Sequence, residues 1–507
     1  MRSSNIIKNI IFGLGSTILT TLFSFVVRTL FIYKLGAVYL GVNGLLSNIL
    51  SMLSLAELGI GSAIAFSLYK PLAEKDEVKI NSLMAYYKKT YRNIGIFIFV
   101  AGILLTPFLN FFIKDGENIS NLTIIYLLYL SNTAYSYLFS YKRTIVHSDQ
   151  KGYIITKYST MFKIMLSVIQ VTYLLIAKNF IVYLILQFGV GVIENIYVNN
   201  KINKMHPYLN AKNSKKLDNK ELKNIKENIN GLMLHKIGGY FISGTDNIII
   251  SKFINITSVG LFSNYTMLLS TVEMLINSIM FSFTASFGNM LSTESIEKVY
   301  KKFKTLNFIN FWMYGFSTIA FYFLLNPFIS LWIGDKFQLS YTVILLLCIN
   351  YYICSAKRSL EIMKIAAGIY KQDKYTTLIQ AVINIVISLA FVGKYGLAGV
   401  VLGTLMSNIF IALFMLPYYV FKYVFNKNPF NYLKTYFSYT IYYLCQIIFI
   451  KQLFNIVNVE NDIIEFIIYV IIITIVPNLI NLIAFHKFEE FKDLEYIFKR
   501  KILRKKV

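Results

Sequence analysis

The chain has 507 residues, of which 56% are hydrophobic and only 15% charged, with a mean hydropathy of +0.57. A soluble domain carries about 25% charged residues and separates its cores with polar surface, so a soluble protein is excluded. The net charge of +25, from 50 Lys and Arg against 25 Asp and Glu, is what positive cytoplasmic loops give a membrane protein, and no nucleic-acid partner follows from it.

The apolar runs are long enough for helices, which need about 20 residues to cross a bilayer, and too long for barrel strands. They predict an all-α, polytopic integral membrane protein with about 14 transmembrane helices. The spans are 9–33, 40–68, 93–113, 122–146, 154–177, 180–200, 230–253, 260–288, 306–333, 341–362, 376–393, 397–421, 435–456 and 463–485. Each loop on one side carries one basic residue, namely Lys34, Lys114, Lys178, Lys252, Lys336, Lys394 and Lys451. Nearly all the others fall on the opposite side, so both termini are expected in the cytoplasm. The first span follows Arg2 and Lys8 without a signal-peptide cleavage pattern and is expected to be retained. Cys348, Cys354 and Cys445 lie in or beside apolar runs and read as small hydrophobes, not disulfides or metal ligands.

The longest polar stretch, 201–228, places Leu222, Ile225 and Ile229 on one helical face, which predicts an amphipathic helix on the inner membrane surface. The basic tail from Lys487 is expected against anionic lipid. An internal repeat organises the rest. Leu104–Asp115, LLTPFLNFFIKD, matches Leu324–Asp335, LLNPFISLWIGD, and Ser140–Thr144, SYKRT, matches Ser355–Ser359, SAKRS. Both pairs, and the weaker match of Lys34 to Lys252, share a period near 218. That period carries span 1 onto span 7, so the two copies enter the membrane from the same face, as parallel repeats do. The expected organisation is an N-terminal six-helix lobe (1–203), a cytoplasmic linker (204–228), a C-terminal six-helix lobe (229–425), two extra helices (426–486) and a basic tail (487–507). Two such bundles can rock about a shared polar cavity.

Charge inside a span is costly and marks function or pairing. Arg28 in span 1 and Asp246 in span 7 each lie six residues before the lysine that ends the span. Either both face the cavity, with Arg28 meeting an anionic headgroup, or Arg28 snorkels outward or pairs with Asp246. Glu57 in span 2 and Glu273 in span 8 are near-equivalents, 216 apart. Each is either a carboxylate that binds a coupling proton or sodium ion, or one held by neighbouring Ser and Asn. Lys236, beside His235, either greets a diphosphate from the cytoplasm or is an ordinary interfacial cation. No phosphate-binding loop, metal-ligand spacing or large outer catalytic loop occurs, so an enzyme is disfavoured, and no cofactor or metal is expected.

The stretch Arg28–Ile64, RTLFIYKLGAVYLGVNGLLSNILSMLSLAELGIGSAI, resembles the start of Wzx-type O-antigen and capsule flippases. These form the polysaccharide branch of the multidrug/oligosaccharidyl-lipid/polysaccharide (MOP) exporter superfamily. The matching positions are Leu35-Gly36, Gly41, Gly44 and Glu57-Leu58-Gly59; the motif covers the first two spans, and the topology covers most of the chain. The resemblance implies a fold like that of MATE exporters and lipid II flippases. It also implies transfer of polyprenyl-diphosphate-linked oligosaccharides from inner to outer leaflet of a bacterial cytoplasmic membrane, for cell-surface polysaccharide biosynthesis. Its cationic cavity maps onto Arg28 and, more weakly, Lys236. Asp246, Glu57 and Glu273 depart from a purely cationic cavity and raise an ion-coupling role. Partners so implied are the lipid-linked oligosaccharide, membrane lipid, a proton or sodium ion, and polysaccharide polymerase and glycosyltransferases. Two other readings stay open: a cation-coupled multidrug exporter on the same fold, and a non-transporting scaffold of a glycan assembly complex.

Overall fold

The computed structural model describes residues 2–57, 60–114, 119–210, 214–215, 217–369, 372–456 and 459–497; some side chains within them, those of 226–236 among them, stand outside that description. Among the described residues every element is helical. The chain divides into two compact units, 1–260 and 261–507.

In the first unit, α1 (Arg2–Leu53) contains 52 residues, about 78 Å at 1.5 Å per residue. No bilayer needs that length. Gly36, at φ 86° and ψ 176°, breaks it into two passages, in a backbone conformation that a side chain would oppose. The loop expected after span 1 is thus reduced to the turn at this one glycine. A 3₁₀ turn, Ser54–Glu57, then interrupts the second passage before α2 (Ile60–Glu74). The following helices are α3 (Glu77–Leu105), α4 (Leu109–Phe112), α5 (Leu122–Ser148), α6 (Gly152–Ile176), α7 (Phe180–Met205) and α8 (Asn219–Phe253). Asp76 caps α3 by accepting from the Lys79 amide, and Asn179 caps α7.

The linker differs from its expectation. Asp218 and Glu221 form a capping box that starts α8, and the helix then runs unbroken for 35 residues into span 7. No proline interrupts it, so the last part of the polar stretch, 219–228, is continuous with the helix of span 7. Lys79 of α3 pairs with Glu221, whose carboxyl is held below its ordinary range by that hydrogen bond.

Within this unit α1 packs on α6 and α8, α3 on α5, and α5 on α7. A close approach joins α1 to the start of α9 (Ile256–Phe281). An added Cβ at Gly41 would sit 2.0 Å from the Ile256 carbonyl oxygen, and one at Gly260 would sit 2.2 Å from that of Ala37. Lipid is as apolar as leucine, so membrane helices associate through such close packing and through polar contacts.

The second unit continues with α10 (Thr284–Thr293), α11 (Ile296–Ile333), α12 (Tyr341–Ala366), α13 (Thr376–Tyr395), α14 (Leu397–Phe410), α15 (Leu416–Val420), α16 (Phe430–Phe454), α17 (Asp462–Phe485) and α18 (Glu489–Ile497). Its core gathers Phe311, Tyr352, Tyr436, Tyr443 and Phe454 from α11, α12 and α16. Gly315 makes room for the Tyr443 ring, whose Cζ would lie 2.1 Å from an added Cβ. Helix α18 packs on the start of α11 through Lys301–Glu489 at 3.0 Å and Lys302–Asp493 at 2.9 Å. The described part of the tail, 487–497, therefore docks on protein; the basic stretch 498–507, expected against anionic lipid, lies outside the described residues.

Ten stretches of the described residues are long and apolar enough to span a membrane. Dividing α1 at Gly36, and adding the more polar α5, α8 and α16, accounts for the fourteen spans read from the sequence. The repeat is not carried identically. Pro107 sits in a 3₁₀ turn between α3 and α4, whereas α11 continues through Pro327.

Candidate functional site

The acid in span 2 sits in the 3₁₀ turn, where the helix is interrupted. Glu57 is half-buried, and its Oε1 accepts a hydrogen bond from the Tyr91 hydroxyl of α3. Tyr91 meets Tyr87 edge-on, with ring centroids 4.3 Å apart, and Tyr137 of α5 lies 5.8 Å from it. Tyr87 shares a hydrogen bond with Thr144 Oγ1 at 3.2 Å. Gly61 leaves the space in which these groups meet: a Cβ there would lie 3.0 Å from Tyr91 Oη, 3.1 Å from Tyr87 Oη and 3.6 Å from Glu57 Oε1. Glu57 is thus held by tyrosine, not by the Ser or Asn neighbours considered from sequence.

The acid in span 8 has a different setting. Glu273 Oε1 accepts from Arg358 Nη2 at 2.8 Å, and Arg358 Nη1 donates to Glu361 Oε2 at 2.7 Å. The Arg358 guanidinium also lies over the Phe281 ring, 5.2 Å from its centroid. Only 12% of the Arg358 side chain is exposed, so its charge is satisfied mainly by these two carboxylates. The face of α9 beside this triad is an open cleft of about 430 Å³, lined by Ser270, Glu273, Met274, Asn277, Ser278 and Phe281.

The SYKRT and SAKRS segments carry the repeated Lys-Arg pair. Lys142 donates to Asn203 Oδ1 on α7 at 2.5 Å, and Lys357 donates to Asn408 Oδ1 on α14 at 3.2 Å. The lysines are therefore used alike, each tied to the sixth span of its own unit. The arginines are not. Arg143 Nη2 reaches Glu194 Oε1 at 3.1 Å and Asn195 Oδ1 at 3.0 Å on α7, while Ser159 donates to the same carboxylate at 2.7 Å. The repeated Lys-Arg pair is visible in the sequence as a repeat; that its arginines hold partly buried carboxylates is not.

Arg28 and Asp246 lie on α1 and α8, two helices of the first unit that pack together. Both are partly buried, and neither is without a partner. Arg28 stands eight residues before the Gly36 break, about 12 Å along the helix. The side chain of Lys236, on α8, is outside the described residues. Among the described residues no group of three or more His, Cys, Asp or Glu could hold a metal ion.

No protein-family model and no curated protein matches the sequence. Solved structures do match by fold. The chain is similar to the lipid II flippase MurJ in an inward closed conformation, at a TM-score of 0.66 and 15% identity, over 94% of this chain and 99% of that one. It is also similar to a multidrug resistance MATE family transporter of the MOP superfamily in an inward-facing conformation, at 0.64 and 14%, over 79% and 93%. A third is the MATE multidrug transporter DinF-BH, at 0.58 and 14%, over 82% and 96%. The chain therefore has the all-helical fold shared by MATE transporters and MurJ.

Proposed function

We propose that the chain is a flippase that moves polyprenyl-diphosphate-linked oligosaccharides from the inner to the outer leaflet of a bacterial cytoplasmic membrane by alternating access. The observation that carries this reading is Arg28, a permanent cation set about 12 Å inside the turn that ends its span, on a fold similar to a lipid II flippase over 94% of the chain. A diphosphate and its sugars cannot cross about 30 Å of hydrocarbon unaided. Arg28 supplies the charge that receives the diphosphate, Asp246 on the adjoining helix competes for Arg28 and releases it, and Lys236 meets the substrate at the cytoplasmic side. The prenyl chain stays in lipid. Both termini lie in the cytoplasm.

Of the two span carboxylates, Glu57 is the better coupling group. A neutral tyrosine holds it, so it can gain and lose a proton without breaking an ion pair. Glu273 would have to give up Arg358 to do the same. The test is reconstitution in vesicles with a fluorescent polyprenyl-diphosphate disaccharide, with and without a pH or sodium gradient. Transfer that responds to a gradient and is lost in Arg28→Ala supports the reading.

A second reading, a cation-coupled multidrug exporter, draws on the same Glu57 setting and on the likeness to MATE transporters. Export of organic cations that survives Arg28→Ala and fails in Glu57→Gln would favour it.

A further inference from the structure

We infer that the cleft on α9 is a glycan-binding subsite, in which Ser270, Glu273, Asn277 and Ser278 hydrogen-bond sugar hydroxyls beside the Phe281 ring. This rests on the flippase reading and deepens it by placing the sugar. The residues recur at helical spacing, so they form one stripe; from Ser270 to Ser278 it extends about 12 Å. Their hydrogen-bonding capacity is already half assigned. The Ser270 hydroxyl donates to the Met267 carbonyl at 3.0 Å and that of Ser278 to the Met274 carbonyl at 2.8 Å. Each serine therefore offers lone pairs to the cleft. Asn277 Oδ1 accepts from the Tyr314 hydroxyl at 3.3 Å, which leaves its amide N–H groups to donate. Glu273 gives Oε1 to Arg358 and keeps Oε2 as an acceptor.

Three acceptor residues, one donor and an aromatic ring suit a ligand dense in hydroxyls that both give and take hydrogen bonds. They suit a cation less well. The Arg358 guanidinium sits directly on Glu273 and opposes a second positive charge there. The open volume of about 430 Å³ also far exceeds what a bare ion fills. An anion is opposed by Glu273 and Glu361, which together outnumber Arg358. The diphosphate and the sugar would thus be read by different residues, Arg28 and the α9 stripe.

The experiment measures binding to the full-length protein in nanodiscs. The probes are a polyprenyl diphosphate bearing a disaccharide, the same lipid without sugar, and a lipophilic cationic dye. The wild-type protein is expected to bind the glycosylated lipid about tenfold more tightly than the bare one. Asn277→Leu and, independently, Ser270→Ala should bring that ratio to within about twofold of unity, with bare-lipid affinity unchanged and Asn277→Gln retaining most of the ratio. Ser270→Ala carries the test if Asn277→Leu does not fold. Bare-lipid binding with no sugar increment in the wild type overturns the subsite alone, as does an increment that both folded variants leave intact. Loss of dye binding in place of the sugar increment assigns the cleft to cations and overturns it too. Failure of the wild type to bind either lipid overturns the flippase reading and the subsite with it.

Discussion

Arg358 holds Glu273 at 2.8 Å, whereas Arg143, at the matching place in the first copy of the repeat, turns to Glu194 at 3.1 Å. The difference follows from where each copy carries its acids. A half-buried arginine needs a counter-charge. The first copy supplies one on its sixth span, Glu194. The sixth span of the second copy, 397–421, carries no acid, but Glu361 lies one turn after Arg358. The second-span acids inherit the consequence: Glu273 is ion-paired, and Glu57 is left to a tyrosine.

Removing Arg358 should therefore destabilise the fold more than removing its partner. Arg358→Met leaves Glu273 and Glu361 facing each other without their cation, at an expected cost of about 1–3 kcal/mol for carboxylates that keep some exposure. Adding Glu273→Gln to that variant should recover part of the loss. Thermal unfolding in detergent gives the comparison; equal melting temperatures for the wild type and Arg358→Met would show that the triad is dispensable.

Glu57→Gln preserves the shape of the side chain and an acceptor for Tyr91, so the protein should fold with an unchanged melting temperature. Its transport should lose the response to an imposed ion gradient while retaining substrate binding. Undiminished gradient dependence in the variant would remove Glu57 from coupling.

The Gly41 contact distinguishes two neighbouring glycines of the second span. A Cβ at Gly41 meets the Ile256 backbone at 2.0 Å, while one at Gly44 meets only side chains, the nearest being Val259 at 3.5 Å. Gly41→Val should abolish folded, monodisperse protein, and Gly44→Ala should be tolerated within about 1 kcal/mol. Size-exclusion profiles of the two variants check this.

Helix α18 should dock in a pH-dependent manner. Burial raises the Asp493 carboxyl's proton affinity, but Lys302, with Thr305, more than offsets it, and the group is held below its ordinary value of 3.8. Its folded form is thus the better acid, so its contribution is present above the ordinary aspartate range and is lost as pH falls through the folded value. Trp312, stacked against Phe491 at 6.0 Å, reports the contact. With Trp332→Phe removing the other indole, Trp312 emission should change on acidification below about pH 4. In Asp493→Asn the changed emission should be present already at neutral pH, and emission identical to the parent at both pH values would exclude the pairing as the docking force.

Much of the architecture is legible in the sequence because bilayer length and apolarity dominate local composition. The helical spans follow from them. The continuity of α8 is hidden because a lysine-rich stretch breaks the apolar run that marks a span, while the capping box at Asp218 starts one helix that runs through both. Glu57 and Glu273 stand out as charges inside spans, yet their opposite settings depend on Tyr91 and Arg358, brought in from other helices. The Tyr87–Tyr91 spacing just before span 3 and the repeated Lys-Arg pair are the available signals. Neither identifies a partner, because the partner is fixed by tertiary packing and not by chain neighbours.

The central claim is tested most directly by leaflet transfer in vesicles containing only the purified protein. A fluorescent polyprenyl-diphosphate disaccharide placed in both leaflets should become fully accessible to an added membrane-impermeant quencher with wild-type protein, and only about half accessible with Arg28→Ala or with empty vesicles. Half-accessibility with the wild-type protein under every imposed gradient, or full accessibility that Arg28→Ala leaves unchanged, would contradict the account.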